Sequence, residues 1–336
     1  MKRHLTMGSL FTGGGGWEAG LAPLGFIPRF AVELETPIAN LYDHNFPGHV
    51  INAGVQTIDI RRLPKVDLLV SSPPCQDYSK TGKAMHARKR KGGWRTVKSR
   101  AACDPRIGLV TLEFVQHCQP KVVMIENVVG YLTDPDTVLW DMVTGLRDLG
   151  YLVAEPRVLD AWRYGVPSGR QRLIILAKKR GTRAKLSYPR PGKEAKWYPA
   201  IKNLIPSLPV TKLAPYNRYH LKHRPPPANS YPVLLSGSTS SMVHPKLTYR
   251  TRNQIGWTVT TAKSASSMKI LLKNGTVLKV TPRVAARLQG WPDWYDFDAV
   301  SQTLALHVIG NSMPPVLARR LAKSMWPSLA TRHRAA

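Results

Sequence analysis

Short apolar runs rich in β-formers alternate through the first half of the chain with stretches of helical spacing, and this alternation limits the fold more than any other feature. HLTMGSLF (4–11), RFAVELE (29–35), VDLLVSS (66–72), VVMIENV (122–128) and RLIILAK (172–178) have the composition of strands. Between them IGLVTLEFVQHC (107–118) places apolar residues at 107, 110, 114, 115 and 118, one face of a helix, and Pro120 stops it. TVLWDMVTGLRDLG (137–150) repeats the pattern and runs into Gly150, a C-terminal cap. Strands apolar on both sides and separated by helices predict an α/β fold, a Rossmann-like parallel sheet with helices on both faces.

From about residue 182 the texture turns proline-rich, basic and irregular, with YPVLLSG (231–237) and GWTVTT (256–261) as weak strand candidates. GNSMPPVLARRLAKSMW (310–326), with prolines near the first turn and apolar positions 317, 321 and 325, predicts a terminal helix. The expected organisation is a first domain over 1–181, a smaller basic domain over 182–278, and a return over 279–336 that completes the first.

Charge then narrows the partner. The chain carries 49 Lys and Arg against 20 Asp and Glu, a net charge of +29. The excess is uneven, because residues 181–280 hold 17 basic residues and a single acid, Glu194. One-sided charge over such a length predicts a long polyanion as partner. No stretch approaches the roughly 20 apolar residues of a membrane span, and MKRHLTMGSL lacks the apolar segment of a signal peptide. A cytoplasmic, nucleoid-associated location is expected, or the host cytoplasm for a phage-encoded chain. The three cysteines, Cys75, Cys103 and Cys118, show no metal-ligand spacing and read as reduced thiols, with no metal expected.

Two motifs carry chemistry. In SLFTGGGGWEAG (9–20) a strand runs through Gly13–Gly16 into a helix, so backbone and helix amides can approach a cofactor closely. Gly14, Gly16 and Ala19 satisfy the dinucleotide fingerprint, and Glu33 or Glu35 at the end of the next strand suits ribose hydroxyls. A nucleoside cofactor follows, of unspecified kind. The second motif is SSPPCQDYSK (71–80), which delivers Cys75 where an apolar strand ends, stiffened by Pro73 and Pro74 and flanked by Gln76 and Ser79. A further strand ends in Glu126-Asn127-Val128 at the same predicted edge. A thiol nucleophile beside a carboxylate, a nucleoside cofactor and a polyanion surface together point to chemistry on a nucleobase.

With these motifs in order, the chain resembles the DNA (cytosine-5)-methyltransferases. SLFTGGGG (9–16), VELE (32–35) with Tyr42 and Asn45, DI (59–60), PPCQ (73–76), DPRIGL (104–109), ENV (126–128), GVPSGRQR (165–172), RLQGWPD (287–293) and GNSMPP (310–315) stand in family sequence. The resemblance implies a class I methyltransferase sheet and assigns 182–278 to target recognition in double-stranded DNA. It implies a Cys75 nucleophile adding to C6 of a flipped-out cytosine, with Glu126 on N3 and the exocyclic amine, and Arg170 and Arg172 orienting base and carboxylate. S-adenosylmethionine would be the methyl donor and S-adenosylhomocysteine the product. Phe11, Gly13, Gly15, Glu33, Asp59, Ile60, Pro74, Leu109, Asn311 and Ser312 would line its site. Gln76, Ser79, Asn127 and the basic trio Lys89, Arg90 and Lys91 would meet substrate, the trio from a loop at 80–100 that closes over DNA.

A monomer is expected, and a cognate restriction endonuclease is left open. The competing readings are a tRNA cytosine-5 methyltransferase, a catalytically weak DNA-binding relative and, from the glycine turn alone, a nicotinamide oxidoreductase. Two departures from the family pattern stand out: Ser9 replaces the usual Asp, and Ser168 the usual Gln. Loss of the acid at position 9 predicts weaker cofactor binding, to be tightened by Ser9→Asp.

Overall fold

The computed structural model describes residues 4–74, 105–134, 137–213, 215–236, 248–260 and 268–326. Strands β1 (Leu5–Leu10), β2 (Phe26–Glu33), β3 (Val50–Asn52), β4 (Leu68–Ser71) and β5 (Val122–Asn127) form the parallel part of the main sheet, in the order β3-β2-β1-β4-β5. The chain builds outward from β1 through β2 to β3, then crosses back to add β4 and β5 on the other side. The resulting switch point lies between β1 and β4, where ligands bind in open sheets of this kind.

Beyond β5 the sheet departs from the all-parallel expectation. β6 (Tyr151–Val153), β7 (Arg157–Asp160) and β8 (Gln171–Lys179) follow, and β8 runs antiparallel to β5 while pairing with both β6 and β7. The RLIILAK run was legible as a strand, but its direction was not, because apolarity on both faces looks the same either way.

Alternation along each strand explains the two faces. Leu68, Val70, Val122, Met124, Ile174 and Leu176 point to one side, whereas Leu69, Val123, Ile125, Leu173 and Ile175 point to the other. Helices α1 (Gly16–Leu21), α2 (Thr36–Asn45), α3 (Val110–Cys118), α4 (Gly130–Thr133) and α5 (Leu139–Asp148) follow in chain order. The second face is covered by α3 and α5 through Phe114, Val115, Met142, Val143 and Leu146.

The first face is covered by α1 together with the terminal helix. After α6 (Trp197–Ile201), α7 (Pro215–His223), α8 (Pro282–Leu288) and α9 (Gln302–Asn311), the chain ends its described part in α10 (Pro315–Met325). Leu317, Leu321 and Met325 of α10 recur at helical spacing and are fully buried, each worth roughly 1.5–3 kcal/mol of transfer free energy. The contact with α1 is close because Gly16 and Gly20 face it: a Cβ at Gly20 would lie 2.2 Å from the carbonyl oxygen of Pro315. Residues 310–311 close α9, and the terminal helix starts only at Pro315, so GNSMPP is a junction between two helices rather than the start of one.

The basic region contributes a small sheet, β10-β9-β11-β12, of β9 (Val233–Leu235), β10 (Tyr249–Arg250), β11 (Lys269–Leu271) and β12 (Val277–Lys279). YPVLLSG thus holds a strand. GWTVTT does not over its described part: Gly256 makes one bridge to Ser168, and residues 257–260 are irregular. Ile270, Leu234 and Leu278 share one buried cluster with Ala31 of β2, Tyr42 of α2 and Trp291, Tyr295 and Ile309, so the small sheet leans on a core that reaches the main sheet. Among the described residues no helix is long and apolar enough to cross a membrane.

Candidate active site

The parallel strands end together. Leu10 is level with Val32 and Ser71, and Ser71 with Ile125, so the chain leaving each strand emerges at one edge: Phe11, Glu33, Ser72–Pro74 and Glu126–Asn127. This edge contains the switch point, and both chemical motifs fall on it.

The glycine turn is fixed from several sides. Gly13 (φ +57°) and Gly15 (φ +81°) take left-handed conformations, and a Cβ on Gly15 would come within 2.8 Å of the Phe46 ring. The Gly13 amide donates to Glu33 Oε2 at 2.9 Å, and the Glu35 amide donates to Glu33 Oε1 at 2.9 Å. Burial pushes the Glu33 carboxyl above its ordinary range, against the lowering effect of these two amides. From above, the Tyr295 hydroxyl donates to the carbonyl of Gly14. Phe11 also sits at positive φ (+52°), a strained conformation for a bulky residue that costs about 1–2 kcal/mol.

These residues could hold a nucleoside cofactor. A Cβ on Gly13 would meet nothing within 4 Å, so the turn opens onto free space. Leu34, next to Glu33, is 69% exposed, an apolar surface beside a carboxylate of the kind a nucleoside ring and ribose need. Asp59 and Ile60 lie on the loop after β3, where the exposed Asp59 is paired to Arg61 at 2.9 Å and held below its usual pKa by that partner. Asn311 contacts His307 at 3.0 Å, and Ser312 donates to the carbonyl of Ile309 at 3.0 Å, both at the α9–α10 junction that covers Gly16. Leu109 is half-buried and ends a turn whose Gly108 packs on Pro73.

At the end of β4 the chain leading toward position 75 is clamped at successive residues. Ser71 Oγ bonds Thr111 Oγ1 at 3.0 Å, Trp17 Nε1 donates to Ser72 Oγ at 3.0 Å, and Asn127 Nδ2 donates to the Pro73 carbonyl at 3.3 Å. Pro74 is the last described residue of this segment. Cys75, Gln76, Ser79, Lys89, Arg90 and Lys91 lie outside the described residues.

Glu126 is buried at the end of β5 and forms an ion pair with Arg172 Nε. Register accounts for the pairing: Glu126 is level with Ile174 on β8, and Arg172 lies two residues nearer the sheet edge on the same face. Arg170, expected beside the base, is fully buried and bonds elsewhere. Nη1 donates to the carbonyls of Gly310 (2.7 Å) and Val259 (3.2 Å), and Nη2 to that of Ser312 (2.8 Å). With its amide oxygen facing the guanidinium, Gln289 accepts from Arg170 Nε at 2.9 Å. Arg170 therefore clamps the α9–α10 junction to the basic region. Asn127 likewise spends its amide on Pro73 and Val128, holding chain rather than reaching outward.

Sequence reading passed over Thr12, Trp17, Glu18, Leu34 and Tyr295. Only Glu18 carried a signal, as an acid within the otherwise apolar and small α1, where every residue is buried.

Residues 5–326 match the model of the C-5 cytosine-specific DNA methylase family. The chain belongs to that family, the DNA cytosine-5 methyltransferases, and is a transferase. It is 28% identical over 339 residues to the type II methyltransferase M.AplI of Arthrospira platensis, covering 97% of this chain and 86% of that one. It is 27% identical to M.HpaII of Haemophilus parainfluenzae, covering 93% and 87%. Among solved structures, a prophage-encoded E. coli protein superimposes with a TM-score of 0.66 at 20% identity, covering 97% and 99%. The S. pombe Dnmt2 methyltransferase gives 0.58 at 16% identity, with the same shares covered. These two likenesses concern the fold.

Proposed function

We propose that the chain methylates C5 of a cytosine flipped out of double-stranded DNA, using Cys75 as a covalent nucleophile. The observation that carries this reading is the Glu126–Arg172 ion pair at the sheet edge, one strand away from the clamped approach to Cys75. S-adenosylmethionine, when bound, supplies an electrophilic methyl group on its sulfonium centre. Gly13, Gly15, Glu33 and Leu34 would hold its adenosyl and amino-acid parts beside that edge.

The Cys75 thiolate adds to C6, forming an S–C bond and releasing the 5,6 double-bond electrons to C5, which becomes able to take a methyl group. Glu126, carrying a proton, donates to N3 and accepts from the exocyclic amine as charge develops on the ring, and Arg172 keeps that carboxyl aimed. A solvent water takes the C5 proton, the electrons of that bond re-form the 5,6 double bond, and the thiolate departs from C6, which restores the aromatic base. Arg170 and Asn127 act at one remove, by positioning the α9–α10 junction and Pro73. The basic region at 182–278 and the segment at 80–100 would bind the duplex through phosphates. The type II naming of the relatives supports a modification role alongside a restriction endonuclease.

Transfer of labelled methyl from S-adenosylmethionine tests the reading. Label should enter duplex DNA as 5-methylcytosine and depend on Cys75. Transfer to tRNA in preference to DNA, or transfer undiminished in Cys75→Ser, would contradict it.

A further inference from the structure

Glu18 is a buried acid for which the reaction as proposed has no use. It is 1% exposed, on a helix turn directly beneath the glycine loop, and its Oε1 accepts from Thr12 Oγ1 at 3.0 Å. The hydroxyls of Ser9 and Tyr42 lie alongside the carboxyl. Glu18 Oε2, Ser9 Oγ and Tyr42 Oη are all buried and lack any hydrogen bond of good geometry. Three orphaned polar atoms around one carboxyl would be costly if they ignored one another. The Ser9 and Tyr42 hydroxyls face the Glu18 carboxyl as its donors.

We infer that Glu18 is the acid that steadies the cofactor turn in this chain, doing from α1 the work that the family pattern gives to an aspartate at position 9. The inference rests on the reading that the glycine turn holds S-adenosylmethionine. Thr12 is the pivot of that turn: its amide donates to Val32, its carbonyl accepts from Gly15, and its side chain is the one Glu18 holds. Glu18 therefore supports the turn from below, while Glu33 and Tyr295 fix Gly13 and Gly14.

The same geometry explains Ser9. Its side chain is fully buried, level with Ala31 and Val70, beside the Glu18 carboxyl. An aspartate there would place a second carboxyl in a dry enclosure beside the first, and two such groups cannot both ionise without penalty. Burial already drives Glu18 toward its neutral form. Serine at 9 is thus the complement of glutamate at 18, and the expectation that Ser9→Asp tightens cofactor binding reverses sign.

Calorimetric binding of S-adenosylhomocysteine to the full chain, with thermal unfolding in parallel, tests this on four variants. Ser9→Asp and Glu18→Ser should each weaken binding by about tenfold or more, and the double variant Ser9→Asp/Glu18→Ser should return to within about threefold of the parent. Glu18→Gln, which keeps the shape and a donor, should stay within about threefold as well. Should the single variants fail to fold, the double and Gln variants still decide. A double variant as weak as the two losses combined, tighter binding by Ser9→Asp, or a Gln variant as weak as Glu18→Ser would overturn the inference. A parent that binds no S-adenosylhomocysteine would instead overturn the cofactor reading beneath it.

Discussion

Asn127 Nδ2 donates to the carbonyl oxygen of Pro73 at 3.3 Å, tying the end of β5 to the chain two residues before Cys75. The same side chain accepts from the Val128 amide at 2.9 Å, so its orientation is fixed at both ends. The buried Glu126 and the chain at Pro73 thus leave adjacent strands that are tied together by the side chain following Glu126.

Asn127→Ala should therefore damage turnover more than binding. Loss of the bond frees Pro73 and leaves its buried carbonyl short of a donor, a loss of roughly 1–3 kcal/mol. If that falls on positioning, single-turnover methyl transfer drops about 10- to 100-fold while S-adenosylhomocysteine affinity stays near that of the parent. An equal loss of both would place Asn127 in the general packing of the sheet.

Arg170 should behave as a structural clamp. Its guanidinium satisfies carbonyls of Val259, Gly310 and Ser312 in a space with no room for water, so Arg170→Ala should lower stability by about 3 kcal/mol or more. Arg170→Lys, without the planar fork, should recover only part of it. Denaturant titration gives the stabilities. An Arg170→Ala variant with parental stability but no turnover would return this residue to direct contact with the base.

Asp67 supplies a pH dependence of known sign. It sits before β4 and accepts from the Thr6 amide at 2.9 Å, Thr6 Oγ1 at 3.1 Å and Lys121 Nζ at 2.6 Å, joining the starts of β1, β4 and β5. Burial raises its pKa, but donation from Lys121 and Thr6 outweighs burial and holds the carboxyl below its ordinary value. A depressed pKa stabilises the fold above the unfolded value of about 3.9, and the contribution fades as pH falls through the folded one. Asp67→Asn should accordingly be less stable than the parent by about 1–3 kcal/mol near neutrality, with the gap shrinking below about pH 4. A gap of constant size across that range would mean that shape, not charge, accounts for the loss.

The parts of this molecule legible in its sequence are those where local pattern and burial agree. β1, β2, β4 and β5 are apolar on both faces because helices cover both, and such runs stand out in any window. β3, β6 and β11 have three residues each, too few for a period to show. α9 was hidden because GNSMPP looks like a helix start, when Gly310 and Asn311 are its last turn. At the site, the position of Glu126 at the buried end of β5 was readable from the strand pattern, whereas Cys75 lies outside the described residues. The jobs of Arg170, Asn127 and Glu18 were not readable, since each depends on a partner 54 or more residues away or on burial that no local pattern records.

Duplex DNA carrying 5-fluorocytosine in place of cytosine probes the proposed covalent bond from Cys75 to C6 directly. Fluorine at C5 cannot leave as a proton does, so after methyl transfer the thiolate cannot be expelled and the adduct persists. Incubated with this DNA and S-adenosylmethionine, the parent chain should form a protein–DNA species that survives denaturing electrophoresis, and Cys75→Ser should form none. A parent that methylates ordinary cytosine DNA yet leaves no such species, or a Cys75→Ser variant that forms it, would contradict the account.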